Sequence, residues 1–135
     1  MLIPLSGDGV TEEVQRLLRP SHGSLEATER AVAMYRSGDW VLFGWIEDGR
    51  LTGCVGFEVE GPRAMIRSIS VDPAHQRHGI GRAMVQAALE EVKAAHVEAE
   101  TDRDAAGFYQ RLGFSLTTIG DAEHGVERFR CERRG

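Results

Sequence analysis

The junction Gln76-Arg77-His78-Gly79-Ile80-Gly81-Arg82 constrains this chain more than any other segment, because it joins two elements of different period. Before it runs an apolar, β-branched stretch, Ile66 to Val71; after it a helical pattern runs from Ile80 to Ala95. A strand that ends in a glycine-containing loop and opens straight into a helix makes a site for phosphate. Glycines let the backbone come close to a ligand, and the first helical N–H groups have no partner inside the helix. Those N–H groups and the positive end of the helix dipole favour anions. Arg77 and Arg82 flank the loop and can add charge-assisted contacts.

The loop alone has several possible owners. A dinucleotide fingerprint needs a third glycine three residues after Gly81, and position 84 is Met84. A nucleoside-triphosphate loop needs Gly-Lys-Ser/Thr, which is absent. Three segments together are more specific: Ser70-Val71-Asp72-Pro73, then Gln76 to Gly81, then Phe108-Tyr109-Gln110-Arg111-Leu112-Gly113-Phe114. In order and spacing, residues 66–114 resemble the GNAT superfamily of N-acetyltransferases, which move an acyl group from acyl-coenzyme A to an amine.

The rest of the chain fits a single domain over residues 1–135, large enough to bury a core without staples. The net charge of −5 argues against a nucleic-acid surface. Cys54 and Cys131 are the only cysteines, so a disulfide framework or a cysteine metal site is not expected, and both read as free, buried thiols. The first residues lack the basic start and apolar core of a signal peptide, and no apolar run approaches the ~20 residues of a membrane span. A cytoplasmic protein without membrane or metal partners is the expectation.

Periodicity predicts a short strand over residues 1–5, helices over 11–18 and 25–36, and strands over 40–47, 51–60 and 64–71. After the long helix come a strand (97–101), a short helix (104–112) and strands over 114–119 and 125–131. The layout β-α-α-β-β-β-α-β-α-β-β is α+β, with helices on a mostly antiparallel sheet. The GNAT-type fold has this order. In the long helix, Val85, Ala88, Leu89 and Val92 form a core stripe. In the short helix, Ala105, Phe108 and Leu112 are expected in the core, with Tyr109 beside that stripe.

The resemblance implies acetyl-coenzyme A as cosubstrate, with its pyrophosphate on the N–H groups around Gln76, Arg77, His78, Gly79, Ile80, Gly81 and Arg82. It places the pantetheine arm along the main chain of Ile69, Ser70 and Val71, as in strand addition. It also implies that a backbone N–H near Ile69 or Val71 serves the oxyanion. Asp104 stands where many relatives carry an asparagine that contacts the arm. Aspartate accepts but does not donate, which favours a helix-capping role. Tyr109 occupies the place of the tyrosine that meets the thioester sulfur. Some relatives carry a glutamate base on the strand before the loop, but here that strand reads Met65-Ile66-Arg67-Ser68-Ile69-Ser70. Glu58 on the neighbouring strand is the nominee for general base, and Arg67 for a carboxylate on the acceptor. The expected activity is acetyl transfer to a primary amine of a small molecule or peptide, in a protein that pairs as a homodimer if it follows its relatives. The alternatives are a non-catalytic acyl-coenzyme A sensor and an aminoacyl-tRNA-acetylating toxin.

Overall fold

The computed structural model describes residues 1–76, 79–121 and 127–134. Arg77 and His78, both expected at the phosphate loop, lie outside the described residues, as does the start of the strand expected over 125–131. The elements are β1 (Leu2–Pro4), α1 (Glu12–Leu18), α2 (Leu25–Ser37), β2 (Val41–Glu47), β3 (Arg50–Glu60), β4 (Arg63–Val71), α3 (Ile80–Val92), β5 (His96–Asp102), α4 (Arg103–Arg111), β6 (Ser115–Asp121) and β7 (Glu127–Arg134). The type and order of every expected element are present. No helix among the described residues is long and apolar enough to cross a membrane.

Local chemistry explains the boundaries. Thr11 and Ser24 accept hydrogen bonds from Val14 and Ala27 N–H and so cap α1 and α2. Gly38 closes α2 in the left-handed conformation at φ 83°. Asp48 and Gly49 both have positive φ, the twist that a tight β2–β3 hairpin needs. The α3 helix stops at Val92 rather than running on to Ala95. Lys93 turns left-handed at φ 55°, and the N–H groups of Ala95 and His96 go instead to the Pro62 carbonyl.

Seven strands form one sheet in the order β1-β2-β3-β4-β5-β7-β6. Among the described residues, only the β4–β5 pair is parallel. One face carries α1 and α2 over a core of Leu5, Val14, Leu18, Tyr35, Leu42 and Cys54. The other carries α3 and α4 over Val55, Phe57, Ile66, Met84, Val85 and Tyr109. Covered on both sides, β3 does not alternate: Thr52 through Phe57 are all buried. Cys54 and Cys131 are free and fully buried, and burial pushes the Cys54 thiol up to about 12.

Two local departures in β4 position everything that follows. Its register with β3 slips between Gly56↔Ser68 and Phe57↔Ile66, so Arg67 is an extra, unpaired residue. Such a bulge bends the strand and ends regular pairing nearby. Accordingly, β4 pairs with β5 only at Arg63↔His96, Ala64↔Val97 and Met65↔Glu98. Beyond Met65 the two strands part, while β5 stays paired to β7 as far as Asp102↔Arg128.

Candidate active site

The parting of β4 from β5 leaves a cleft of about 360 Å³. Ile66, Arg67, Ser68 and Ile69 form one wall, Glu100, Thr101 and Asp102 the other, and Pro20 and Ser21 close one side. Ala105, Phe108 and Tyr109 of α4 lie across it. The edge of β4 that faces this gap has no strand beside it, so its alternate N–H and C=O groups are open to an extended ligand. Among the described residues, Ile69 and Ser70 therefore lie on a free edge. Near its end, the Gln76 side-chain amide donates to the Val71 carbonyl at 3.0 Å, which ties the loop back to the strand. The Asp72 carboxylate accepts from the Ala74 N–H at 2.9 Å and holds the turn after β4.

The N-terminus of α3 adjoins this cleft. Its cap is Gly79, left-handed at φ 75°, with no side-chain hydrogen bond to the first turn. The caps of α1, α2 and α4 all have one. Among the described residues, no side chain caps the leading N–H groups of α3, the condition for anion binding. Gly81 permits a close approach: a Cβ there would lie 3.3 Å from the Phe108 ring and 3.6 Å from Val71. Gly79, Ile80, Gly81 and Arg82 occupy this first turn, with Ile80 buried and Arg82 exposed.

Tyr109 sits differently from expectation. It is only 4% exposed, and Ala106 and Leu112 are buried with it, whereas Ala105 and Phe108 are half-buried. The buried face of α4 is turned by one residue from the predicted stripe. Phe114 explains the turn, because its ring meets Tyr109 edge-on at 5.4 Å, with Phe108 at 5.3 Å on another side. Burial pushes the phenol pKa well above its usual value, so Tyr109 is a donor, not a phenolate. Its hydroxyl makes no hydrogen bond to a described residue and lies in the cleft wall.

Asp104 is not the cap of α4. Asp102 is, accepting from the Ala105 N–H at 3.1 Å, and Asp104 stands exposed in the first turn. An aspartate three residues before Ala105 was the available signal, hidden by the overlap of strand and helix patterns at that point.

Glu58 also differs from its expected setting. It lines a separate shallow cavity with Glu60, Arg63 and Met65 rather than the cleft. Trp40 Nε1 donates to one oxygen at 3.1 Å and Arg67 to the other at 2.9 Å. The hydrogen bond from Arg67 holds the carboxyl below the usual carboxylate range, which makes it a weaker base. Arg67 lies over the Trp40 ring at 5.4 Å, and Trp40 meets Tyr35 at 5.5 Å.

Sequence reasoning passed over a second cluster. Ser68 Oγ lies 2.8 Å from His22 Nε2 and 2.7 Å from the Tyr35 hydroxyl. Ser68 is 2% and Tyr35 0% exposed. These partners stand 46 and 33 residues from Ser68 in the chain, so no local pattern announces them.

Residues 11–114 match the model of the acetyltransferase (GNAT) family. The chain belongs to that family. It is 28% identical over 98 residues to a ribosomal protein bS18-alanine N-acetyltransferase of Escherichia coli, covering 68% of this chain and 66% of that one. An uncharacterised Bacillus subtilis protein is 29% identical over 79 residues, 54% of this chain and 48% of its own. The match thus spans from just under half to about two thirds of these relatives' length. The fold coincides with that of the crystal structure of the Escherichia coli S18-alanine enzyme at a TM-score of 0.81 and 18% identity, over 99% and 92% of the two chains. An aminoglycoside 6'-N-acetyltransferase complexed with coenzyme A has a TM-score of 0.81 at 10% identity, over 99% and 96%. A family member from Elizabethkingia anophelis with acetyl-CoA bound gives 0.77 at 17%, over 100% and 97%.

Proposed function

We propose that this chain is an acyltransferase that moves an acetyl group from acetyl-coenzyme A to a primary amine, by direct attack while both substrates are bound. The observation that carries this reading is the opening of β4 from β5 beyond Met65, with Tyr109 across the gap. The unpaired edge at Ile69, Ser70 and Val71 suits the amides of the pantetheine arm. The uncapped first turn at Gly79, Ile80, Gly81 and Arg82 suits the pyrophosphate, with Gln76 bracing the loop. Relatives of this fold have been crystallised with coenzyme A or acetyl-CoA, which supports the same donor.

The chemistry follows from charge. Attack needs a neutral amine, and an amine of pKa ~10.4 costs ~4–5 kcal/mol to deprotonate at pH 7. As the C–N bond forms, negative charge grows on the carbonyl oxygen, which a backbone N–H at the bulged edge near Ile69 or Val71 stabilises. The C–S bond then breaks and charge passes to sulfur. Tyr109 donates a hydrogen bond to that sulfur. Full proton transfer from a phenol of pKa ~10 to a thiolate of pKa ~8.5 is uphill by ~2 kcal/mol, and burial raises the phenol further. A hydrogen bond that strengthens with the developing charge is therefore the role.

Glu58 holds Arg67 and Trp40 at the rim rather than taking a proton. Arg67, the bulge residue in the cleft wall, faces the acceptor and selects for a carboxylate on it. With an alanyl peptide, a diamine and an aminoglycoside as acceptors, wild-type protein is expected to release free thiol from acetyl-CoA with at least one of them. Binding of acetyl-CoA without thiol release from any would overturn enzymatic transfer in favour of a sensor. Arg67→Ala should raise KM severalfold for an acceptor bearing a carboxylate and leave a neutral-sided amine unchanged; equal effects on both would remove Arg67 from recognition.

A further inference from the structure

The acyl-transfer reading leaves the amine's proton without a destination, since Glu58 is committed to Arg67 and Trp40 and lies outside the cleft. We infer that the buried chain Tyr35–Ser68–His22 carries that proton away. This rests on the proposed transfer reaction and adds the proton route to it.

The direction of the chain follows from satisfying every hydrogen. Tyr35 is fully buried, and among the described residues its hydroxyl has one partner, Ser68 Oγ. If Tyr35 donates to Ser68, then Ser68 donates to His22 Nε2, and each proton is matched. The reverse order, Nε2–H to Ser68 to Tyr35, strands the phenol proton in a dry site at a cost of ~1–3 kcal/mol. His22 therefore holds its own proton on Nδ1 and offers Nε2 as acceptor. Burial of the Tyr35 phenol keeps it protonated and fixes this order.

The site is shaped for the chain. Ser68 stands next to the bulge at Arg67 and lines the cleft beside Ile69. Opposite Ser68 in the sheet is Gly56, and a Cβ there would overlap the Tyr35 hydroxyl. The missing side chain makes room for the phenol. His22 is only half-buried, so its far edge reaches solvent.

In the step itself the amine nitrogen bonds to the acyl carbon and gives its proton to Ser68 Oγ. Ser68 passes its own proton to His22 Nε2, and His22 releases one from Nδ1 to water. The C–S electron pair leaves on sulfur, against Tyr109. Ser68 would touch the substrate; His22 and Tyr35 act through it, as positioning residues. The charged and titratable groups around the chain are Arg19, which donates to the His22 carbonyl at 3.1 Å, Arg67 on β4, and Cys54 beside Tyr35 on β3. No carboxylate among the described residues pairs with His22. Burial lowers its pKa from the ordinary 6.5, which keeps Nε2 free at neutral pH.

The test is a pH–rate profile of thiol release, divided by the neutral fraction of the amine used. Wild type should lose rate at acid pH, below the 6.5 of an exposed imidazole. His22→Gln and Ser68→Ala should remove that limb and lower kcat at least tenfold, with acetyl-CoA affinity unchanged, whereas Glu58→Gln should keep the limb. A His22→Gln protein with wild-type kcat and an intact limb overturns the route alone. Loss of the limb in Glu58→Gln instead overturns it in favour of Glu58. Nitrogen-15 shifts of His22 give a check that needs no turnover: an Nε2–H tautomer at pH 7.5 refutes the chain's direction. No thiol release from wild type with any amine removes the transfer reading and the route together.

Discussion

The two sides of β4 hold the two halves of the proposed reaction, and they are built from different materials. On the α3 and α4 side, the donor half is main chain and glycine: the free edge at Ile69 and Ser70, the left-handed Gly79, and Gly81 under Phe108. On the α1 and α2 side, the acceptor half is side chain: Tyr35, Ser68, His22, and the Trp40–Arg67–Glu58 cluster. A main-chain site depends on backbone shape and tolerates change in its neighbours. A side-chain site depends on a few atoms meeting across long stretches of sequence, and a single methyl group can undo it.

The difference breaks most sharply at Gly56. Gly56→Ala puts a Cβ into the Tyr35 hydroxyl, in a strand buried on both faces where nothing can recede cheaply. The expected cost is about 1–3 kcal/mol of stability, read by denaturant titration, with turnover falling more than acetyl-CoA affinity. Equal loss of both would show that the two halves are one cooperative unit. Tyr109→Phe acts on the donor half and removes one hydroxyl without changing the packing against Phe108 and Phe114. It should lower kcat tenfold or more, about 1.4 kcal/mol in the barrier, and leave cofactor affinity unchanged. Unaltered turnover would take Tyr109 out of the chemistry.

The same division explains what could be read from the chain. The strand, the glycine turn and the helix after it were legible because backbone requirements leave local marks: glycines at fixed offsets, a β-branched run, an aromatic pair before Gly113. Element order was legible for the same reason. The facing of α4 was not, because Tyr109 and Phe108 are adjacent aromatic rings and Phe114, folded back from beyond the helix, packs against Tyr109. The cap at Asp102 was masked where β5 ends one residue before α4 begins. His22 carried no mark at all. It lies outside any regular element except a brief turn's end, and its partner comes from β4. Its pairing exists only in three dimensions.

The smallest expected effect tests His22 in the folded protein without any substrate. Burial lowers its pKa below the 6.5 of an exposed imidazole, so below that pH the unfolded chain binds the proton more readily than the folded one. Stability then rises with pH wherever the unfolded state holds more protons, and falls as pH drops through about 6.5 toward the lower folded value. His22→Gln cannot titrate and lacks this component of the slope. Between pH 7.5 and pH 5.5 the wild-type midpoint should therefore move down relative to that of His22→Gln, converging with it or crossing it. The shift is modest because the imidazole is half open to water, and it is independent of salt if desolvation rather than charge is the cause. A gap between the two proteins that stays constant across this range would mean that burial does not shift His22, and one that widens in favour of wild type at acid pH would mean that the fold favours the protonated imidazole. Its Nε2 would then donate to Ser68 rather than accept from it, and the acceptor half would have no resting base on this side of β4.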